Sequence, residues 1–252
     1  MDISEISKSE NELVQNAKST KEEFFAHAQY GLHLANEFLK EVDPNSFYFV
    51  LFISSFQKHI TLAFLSAVRF HHIQANFNLR FASETAAWAA FAIGNNDPQK
   101  DKEKFAEVND NGLLNPNDDL KKKMYKWLDE KYPEGSTALK RYKGQTNSLS
   151  SHANIVDAHR TFSGLVDGKF KTQFFDSSED RHIQTDLWAV ANLVMGSLDL
   201  FYGVNKDFNI LKFEDDFLLK IKALEKENHR LKDKMIANPH FVNGNKGTDT
   251  NV

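Results

Sequence analysis

The chain has no cysteine, which removes disulfides, thiolate metal sites and cysteine nucleophiles and suits a reducing compartment. Proline (5) and glycine (11) are scarce among 252 residues, so few positions interrupt a helix. Charge of one sign is lacking as well. Basic and acidic residues number 31 and 35, for a net charge of -4, which offers no field to gather nucleic acid. Residues Met1 to Lys21 are polar and acidic, without the apolar stretch of a secretory signal or the basic face of a transit peptide. A cytoplasmic location is expected, with neither a nucleic acid nor a membrane as partner. Glycine-rich phosphate loops, the Gly-x-Ser-x-Gly elbow and internal repeats are all missing.

What is abundant is phenylalanine, at 22 residues, and long stretches with helical spacing. Residues 3–19 have weak apolar spacing and read as a short helix or a frayed arm. Ser19-Thr20-Lys21-Glu22 has the form of a capping box opening a helix that carries Phe24, Phe25, Ala28, Leu32, Ala35 and Phe38 and stops before Pro44. Asp43-Pro44 then starts a segment reaching about Ile73. Residues 46–68 hold one formal charge, Lys58, so a membrane span has to be weighed. Lysine at a bilayer centre costs roughly 2.5 to 3.5 kcal/mol, and Ser54, Ser55, Gln57 and His59 add to that. The segment is therefore read as a central helix of a folded body.

Phe77 to Ile93 forms the next helix, stopped by Gly94-Asn95-Asn96-Asp97-Pro98. Residues 97–118 are charged and turn-rich and read as a surface excursion. Asn117 or Asp118 caps a helix to about Lys131, Ser136 to Lys143 supplies further turns, and Gly144 to His159 is irregular and polar. Asp167-Gly168 predicts a small hairpin within Arg160–Phe175. A helix capped by Ser177 or Ser178 then runs to Gly203, and the last begins near Phe213. The expected fold is mainly α: a helical bundle over residues 1–205 with a hairpin near 160–175, a C-terminal amphipathic helix over 206–237, and a disordered tail over 238–252.

That final helix has a heptad seam. Phe217, Ile221, Leu224, Asn228, Leu231 and Met235 are spaced 4, 3, 4, 3 and 4, with Ile221, Asn228 and Met235 at a and Phe217, Leu224 and Leu231 at d. The flanking pairs Lys220 with Glu225 and Glu227 with Lys232 are opposite in sign. A parallel homodimer through this seam is expected, the alternative being that it packs on the chain's own bundle or stands as an exposed spur.

Chemistry concentrates in two places. Arg80 and Glu84 are four apart on a helix face shared with Phe77, Trp88 and Phe91, while Leu79, Ala82, Ala86, Ala89, Ala90 and Ile93 make the opposite face apolar. An ion pair between two packed faces is expected to be largely dehydrated. Asn147 to Asn154 gathers hydroxyls, amides and the imidazole of His152 into one short stretch, with Ser148, Ser151 and Asn154 as candidate ligand-binding groups. Together, Leu79-Arg80-Phe81-Ala82-Ser83-Glu84 and Leu149-Ser150-Ser151-His152 resemble a family of uncharacterised bacterial helical proteins with Leu-Arg-x-x-x-Glu and Leu-Ser-x-x-His motifs, over roughly residues 45–200. The resemblance implies that Arg80, Glu84 and His152 come together in the fold, and it names no substrate.

The expected function is that of a self-associating binding or sensing module with a polar site at Arg80, Glu84 and His152. The alternative is a metal-independent, ribonuclease-like hydrolase in which His152 is the general base and Arg80 stabilises an anion. Against it, no arginine is followed by a histidine at the spacing of helical ribonuclease toxins. Metal binding has one Glu-x-x-His element, Glu179 with His182, where a di-iron bundle needs two. His71 and His72 diverge by about 100 degrees on a helix and do not chelate together. Neither a metal nor a cofactor is assigned.

Overall fold

The computed structural model describes residues 2–95, 105–108, 111, 114–150, 162–166, 168–176 and 180–238. The fold is mainly α, with seven described helices: α1 (Ile3–Glu37), α2 (Phe47–Val68), α3 (His72–Gly94), α4 (Asp118–Lys131), α5 (Pro133–Ser150), α6 (Asp180–Phe208) and α7 (Phe217–Ala237). Three two-stranded antiparallel sheets accompany them: β1 (Leu39–Val42) with β6 (Leu211–Phe213), β2 (Ala106–Val108) with β3 (Leu114–Pro116), and β4 (Phe162–Val166) with β5 (Lys169–Thr172). The β4–β5 hairpin turns where Asp167-Gly168 predicts it, with Gly168 at φ 71° in the left-handed region that the turn requires. The other two sheets are additions to the sequence reading.

α6 is the hub, touching α1, α2, α3, α5 and α7, while α2 and α3 make the largest helix-to-helix contact. Phe201 of α6 shows why: its ring lies 6.2 Å from Phe38, 6.1 Å from Phe49 and 6.1 Å from Phe56, and all four are out of solvent. Each such side chain contributes roughly 1.5–3 kcal/mol on burial. The alanine face of α3 lets neighbours close in on that helix, with Ala82, Ala86, Ala89 and Ala90 fully buried. Gly31 of α1 does the same toward α6, since a Cβ there would stand 3.3 Å from the Ala191 backbone.

Several expected boundaries move. Helix α1 begins at Ile3, and the Ser19-to-Glu22 box does not open it. Ser19 and Thr20 hydroxyls both donate to the Asn16 carbonyl at 3.0 Å, bonding back to the preceding turn, and the backbone breaks at Glu22 (φ 31°, ψ -101°). The expected helix toward Pro44 ends at Glu37, because Leu39–Val42 pairs with Leu211–Phe213. Asn205 anchors that return: its side-chain oxygen accepts from Ile210 and Leu211 amides, and its nitrogen donates to the Leu211 carbonyl. α2 stops at Val68, where Phe70 turns left-handed at φ 63°, and α3 starts five residues earlier than expected. α5 runs helically through Ser150, into the stretch read as irregular. Of the excursion over 97–118, β2 and β3 are described. Beyond Asn238 the expected tail lies outside the described residues.

The C-terminal seam requires a larger correction. Phe217, Ile221, Leu224, Asn228, Leu231 and Met235 are all buried within the single chain, against α1 and α6. The heptad spacing is real, but its partners are intramolecular, so the seam is not exposed for a parallel homodimer. The outer edge of α7 is tied down too. Arg230 bridges Glu227 and Glu23 at 2.6 Å, and Lys234 pairs with Glu23. Helix α7 thus packs on α1 and α6.

Candidate functional site

Glu84 lies on the flank of α3 that meets α4 and α5. Helix α4 starts at Asn117, whose side chain accepts from the Leu120 amide at 3.0 Å, with Asp118 and Asp119 in its positive first turn. Leu120, Met124 and Leu128 repeat every four residues and bury one face. Lys121, Lys122, Tyr125 and Lys126 consequently fall on the sides that border α5 and solvent. Helix α5 then brings Lys140 and Lys143 back across the same face.

Among the described residues, Glu84 is therefore approached by three cations. Arg80 Nε stands 3.6 Å from Oε1, Lys143 Nζ 3.4 Å from Oε1 and Lys121 Nζ 3.7 Å from Oε2. The carboxylate side chain is 17% exposed and Arg80 31%, so the pair is part-buried rather than dehydrated. None of the three distances is the 2.7–2.9 Å of a closed charge-assisted bond, and Oε1 is out of solvent without a hydrogen-bond donor. Tyr125 lies beside them. Burial, and after it the Glu84 carboxylate, pushes its phenol up to about 12, with Arg80 opposing. The phenol stays protonated near neutral pH and can donate, not act as a base.

A groove of about 450 Å³ opens outward from here, lined by Lys122, Tyr125, Lys126, Asp129, Lys140 and Lys143. The Lys143 and Lys140 ammonium groups stand 5.2 and 5.7 Å from the Tyr125 ring centroid, within cation–π range. Asp129 accepts from Lys140 and from the Ser136 hydroxyl at 2.6 Å, and these two bonds, Lys140 first, hold its carboxyl below the usual range. Among the described residues, the ion pairs around Glu84 and the groove join six cations to four carboxylates.

A second polar cluster occupies the α2–α3 junction. His72 Nδ1 is 2.5 Å from Asp186 Oδ2, and His72 Nε2 is 3.2 Å from Asn76 Nδ2. With Nδ1–H donating to the carboxylate and Nε2 accepting from the amide, both ring nitrogens are engaged. Asp176 receives the Ile73 amide and donates its own to the Phe70 carbonyl, while His71 meets Glu10 at 2.9 Å and stacks on Phe175. This orienting pair has no open nitrogen to offer a substrate, and it acts as a clamp on the strained Phe70 turn. Among the described residues no group of three histidine, aspartate or glutamate side chains is placed to hold a metal.

Of the expected site residues, Arg80 and Glu84 do meet, on the flank bordering the groove. Ser148 has its backbone in α5. His152, Ser151 and Asn154 lie outside the described residues. The lysines of α4 and α5 and Tyr125 were missing from the sequence reading. Their signal is a lysine-rich polar face on an amphipathic helix, and such faces commonly carry nothing but water. No family model, curated protein or solved structure matches the chain.

Proposed function

We propose that the chain is a binding module for a small phosphate-bearing anion, held over Arg80, Lys121 and Lys143 and along the α4–α5 groove. One observation carries this reading: a single part-buried carboxylate, Glu84, faces three cations at 3.4–3.7 Å. Three cations set around one carboxylate make a positive potential, and in a partly screened site that potential attracts anions. Phosphate suits it better than a neutral ligand because Arg80 offers a planar fork and the lysines offer mobile point charges. Tyr125 adds a hydrogen-bond donor that keeps its proton. The hydrolytic alternative needs an imidazole at the groove. None is among the described lining residues, so that alternative rests on His152 alone.

The test is calorimetric titration of the full chain with inorganic pyrophosphate at low and at physiological salt. Saturable binding is expected, weakened about tenfold or more by Lys143→Ala, consistent with loss of one charge-assisted contact of roughly 1.5–3 kcal/mol. Glu84→Gln should tighten it, because the competing carboxylate is gone. Absence of saturation, or the same Kd in the parent and Lys143→Ala, overturns the proposal.

A further inference from the structure

Helix α2 is apolar on two faces, and only one of them is used inside the molecule. Phe49, Phe56, Ile60, Ala63 and Ala67 are buried at 0–1% exposure. On the other side Phe47 is 64% exposed, Leu51 52% and Val50 46%, followed along the same stripe by Ser54, Lys58 and Leu62. The stripe continues onto α3 through His59, which donates to Asn78 Oδ1 at 3.0 Å and stacks on Phe81 at 5.1 Å. Phe81 is 47% exposed and Phe77, stacked beside it, 39%. Six large apolar side chains on one continuous two-helix face exceed the scattered exposure normal for a protein surface.

Among the described exposed residues of this stripe Lys58 is the one formal charge, while Arg80 and Glu84 pair with each other on the neighbouring flank of α3. Asp43, at the end of the stripe, is occupied in its own turn, where it accepts from the Asn45 amide at 2.8 Å. A second copy is a poor cover. A two-fold contact sets this stripe on its own copy, so Lys58 would meet a stripe whose described exposed side chains include no carboxylate. A bilayer carrying anionic headgroups offers both requirements at once: apolar depth for the phenylalanines and leucines, and negative potential for the lysine that snorkels between them.

We infer that the exposed α2–α3 face, from Phe47 through Lys58 to Phe77, docks in-plane on an anionic phospholipid surface. The inference is independent of the anion groove, and it reverses the expectation of no membrane partner. It also gives a reason for the apolarity of α2, whose mean hydropathy of 1.3 reaches that of a membrane span while a third of the window is buried. The helix does not cross the bilayer, because its inner face is committed to α3 and α6.

The experiment is flotation of the full chain with phosphatidylcholine vesicles, with and without about a third of the lipid as phosphatidylserine. Binding is expected only to the anionic vesicles and should weaken as salt rises. Phe47→Ser with Leu51→Ser should lower partitioning about tenfold or more, since roughly two buried side chains are lost from the lipid contact. Lys58→Glu should lower it about fivefold or more. These positions are exposed, so the variants should keep the parent's circular dichroism and melting temperature, and both are checked. The inference is overturned by no binding to anionic vesicles, by equal binding to neutral ones, or by variants that bind like the parent. It is equally overturned if sedimentation shows a dimer that the double variant dissociates while vesicles are ignored, because a second copy then covers the face.

Discussion

Two polar clusters inside this molecule, one of neutral and one of charged side chains, end in opposite states. In the first, His27 of α1 donates from Nε2 to Asn228 Oδ1 at 3.1 Å, Asn228 Nδ2 donates to Asn192 Oδ1 at 2.7 Å, and Asn192 donates to the Tyr142 hydroxyl. Trp188 Nε1 completes the chain on the Asn228 carbonyl at 2.9 Å. Four helices are joined by neutral groups whose donors find acceptors. In the second cluster, Glu84 gathers charges that approach without closing and stays in partial contact with water. The contrast separates structure from availability: a neutral network that satisfies itself fixes helix positions, whereas an overcharged, loosely engaged one keeps capacity for a ligand.

The sharpest way to break this comparison is to cut the closed network at its centre. Asn228→Ala leaves the His27 Nε2 proton and the Asn192 carbonyl without partners, and each orphaned buried group costs roughly 1–3 kcal/mol, so a total loss of about 2–6 kcal/mol is expected in a urea melt. A loss under about 1 kcal/mol would show that the network is not closed in solution. A smaller effect follows from pH. Burial, the largest influence, holds the His27 imidazole below its ordinary value, with Asn228 and Glu227 opposing. The unfolded chain therefore binds this proton more readily than the folded one. Stability from His27 is complete above the unfolded value of about 6.5 and is lost as pH falls through the lower folded value. Melts between about pH 7.5 and pH 5 should show a decline that His27→Gln flattens. An unchanged slope in that variant would assign the acid sensitivity elsewhere.

How much of this was legible beforehand depends on whether the information was local. The heptad of α7 could be read residue by residue, but apolar faces on α1 and α6 serve it as well as a second copy would, and spacing does not name its partner. Asn228 shows the same limit: at an a position it reads as a register device, and its partners, His27 and Asn192, sit on helices far away in sequence. The Asp167-Gly168 hairpin was readable because the turn chemistry is contained in two residues. Strands β1 and β6 were not, since runs of four and three residues give too short an alternation and Asn205 holds them from outside. At the candidate site, the i,i+4 spacing put Arg80 and Glu84 together, while Lys121 and Lys143 arrive from separate helices. The His72–Asp186 pair escaped for the same reason, being 114 residues apart.

The open cluster should respond to mutation in the reverse manner, with little effect on stability and more on ligand. Glu84→Gln leaves Arg80, Lys121 and Lys143 facing one another, yet all three reach solvent and can swing away. A loss of about 1–2 kcal/mol is expected, below that of Asn228→Ala, together with tighter pyrophosphate binding. Equal losses from the two substitutions would erase the distinction between the clusters.

Arg80→Ala should be the mildest of the series. Had the guanidinium been dehydrated, its removal would strand a buried carboxylate at a cost of about 3–5 kcal/mol. Instead Glu84 keeps Lys121 and Lys143 within 3.7 Å, and the Arg80 side chain is 31% exposed, so screening discounts the pair and a loss under about 1 kcal/mol is expected. Pyrophosphate affinity should nonetheless fall, because the planar donor fork is gone and lysine does not reproduce it. Arg80→Lys sharpens the point: stability like the parent's with weakened pyrophosphate binding would locate the role of Arg80 in recognition, whereas a loss above about 3 kcal/mol in either variant would make it a structural clamp of the same kind as Asn228.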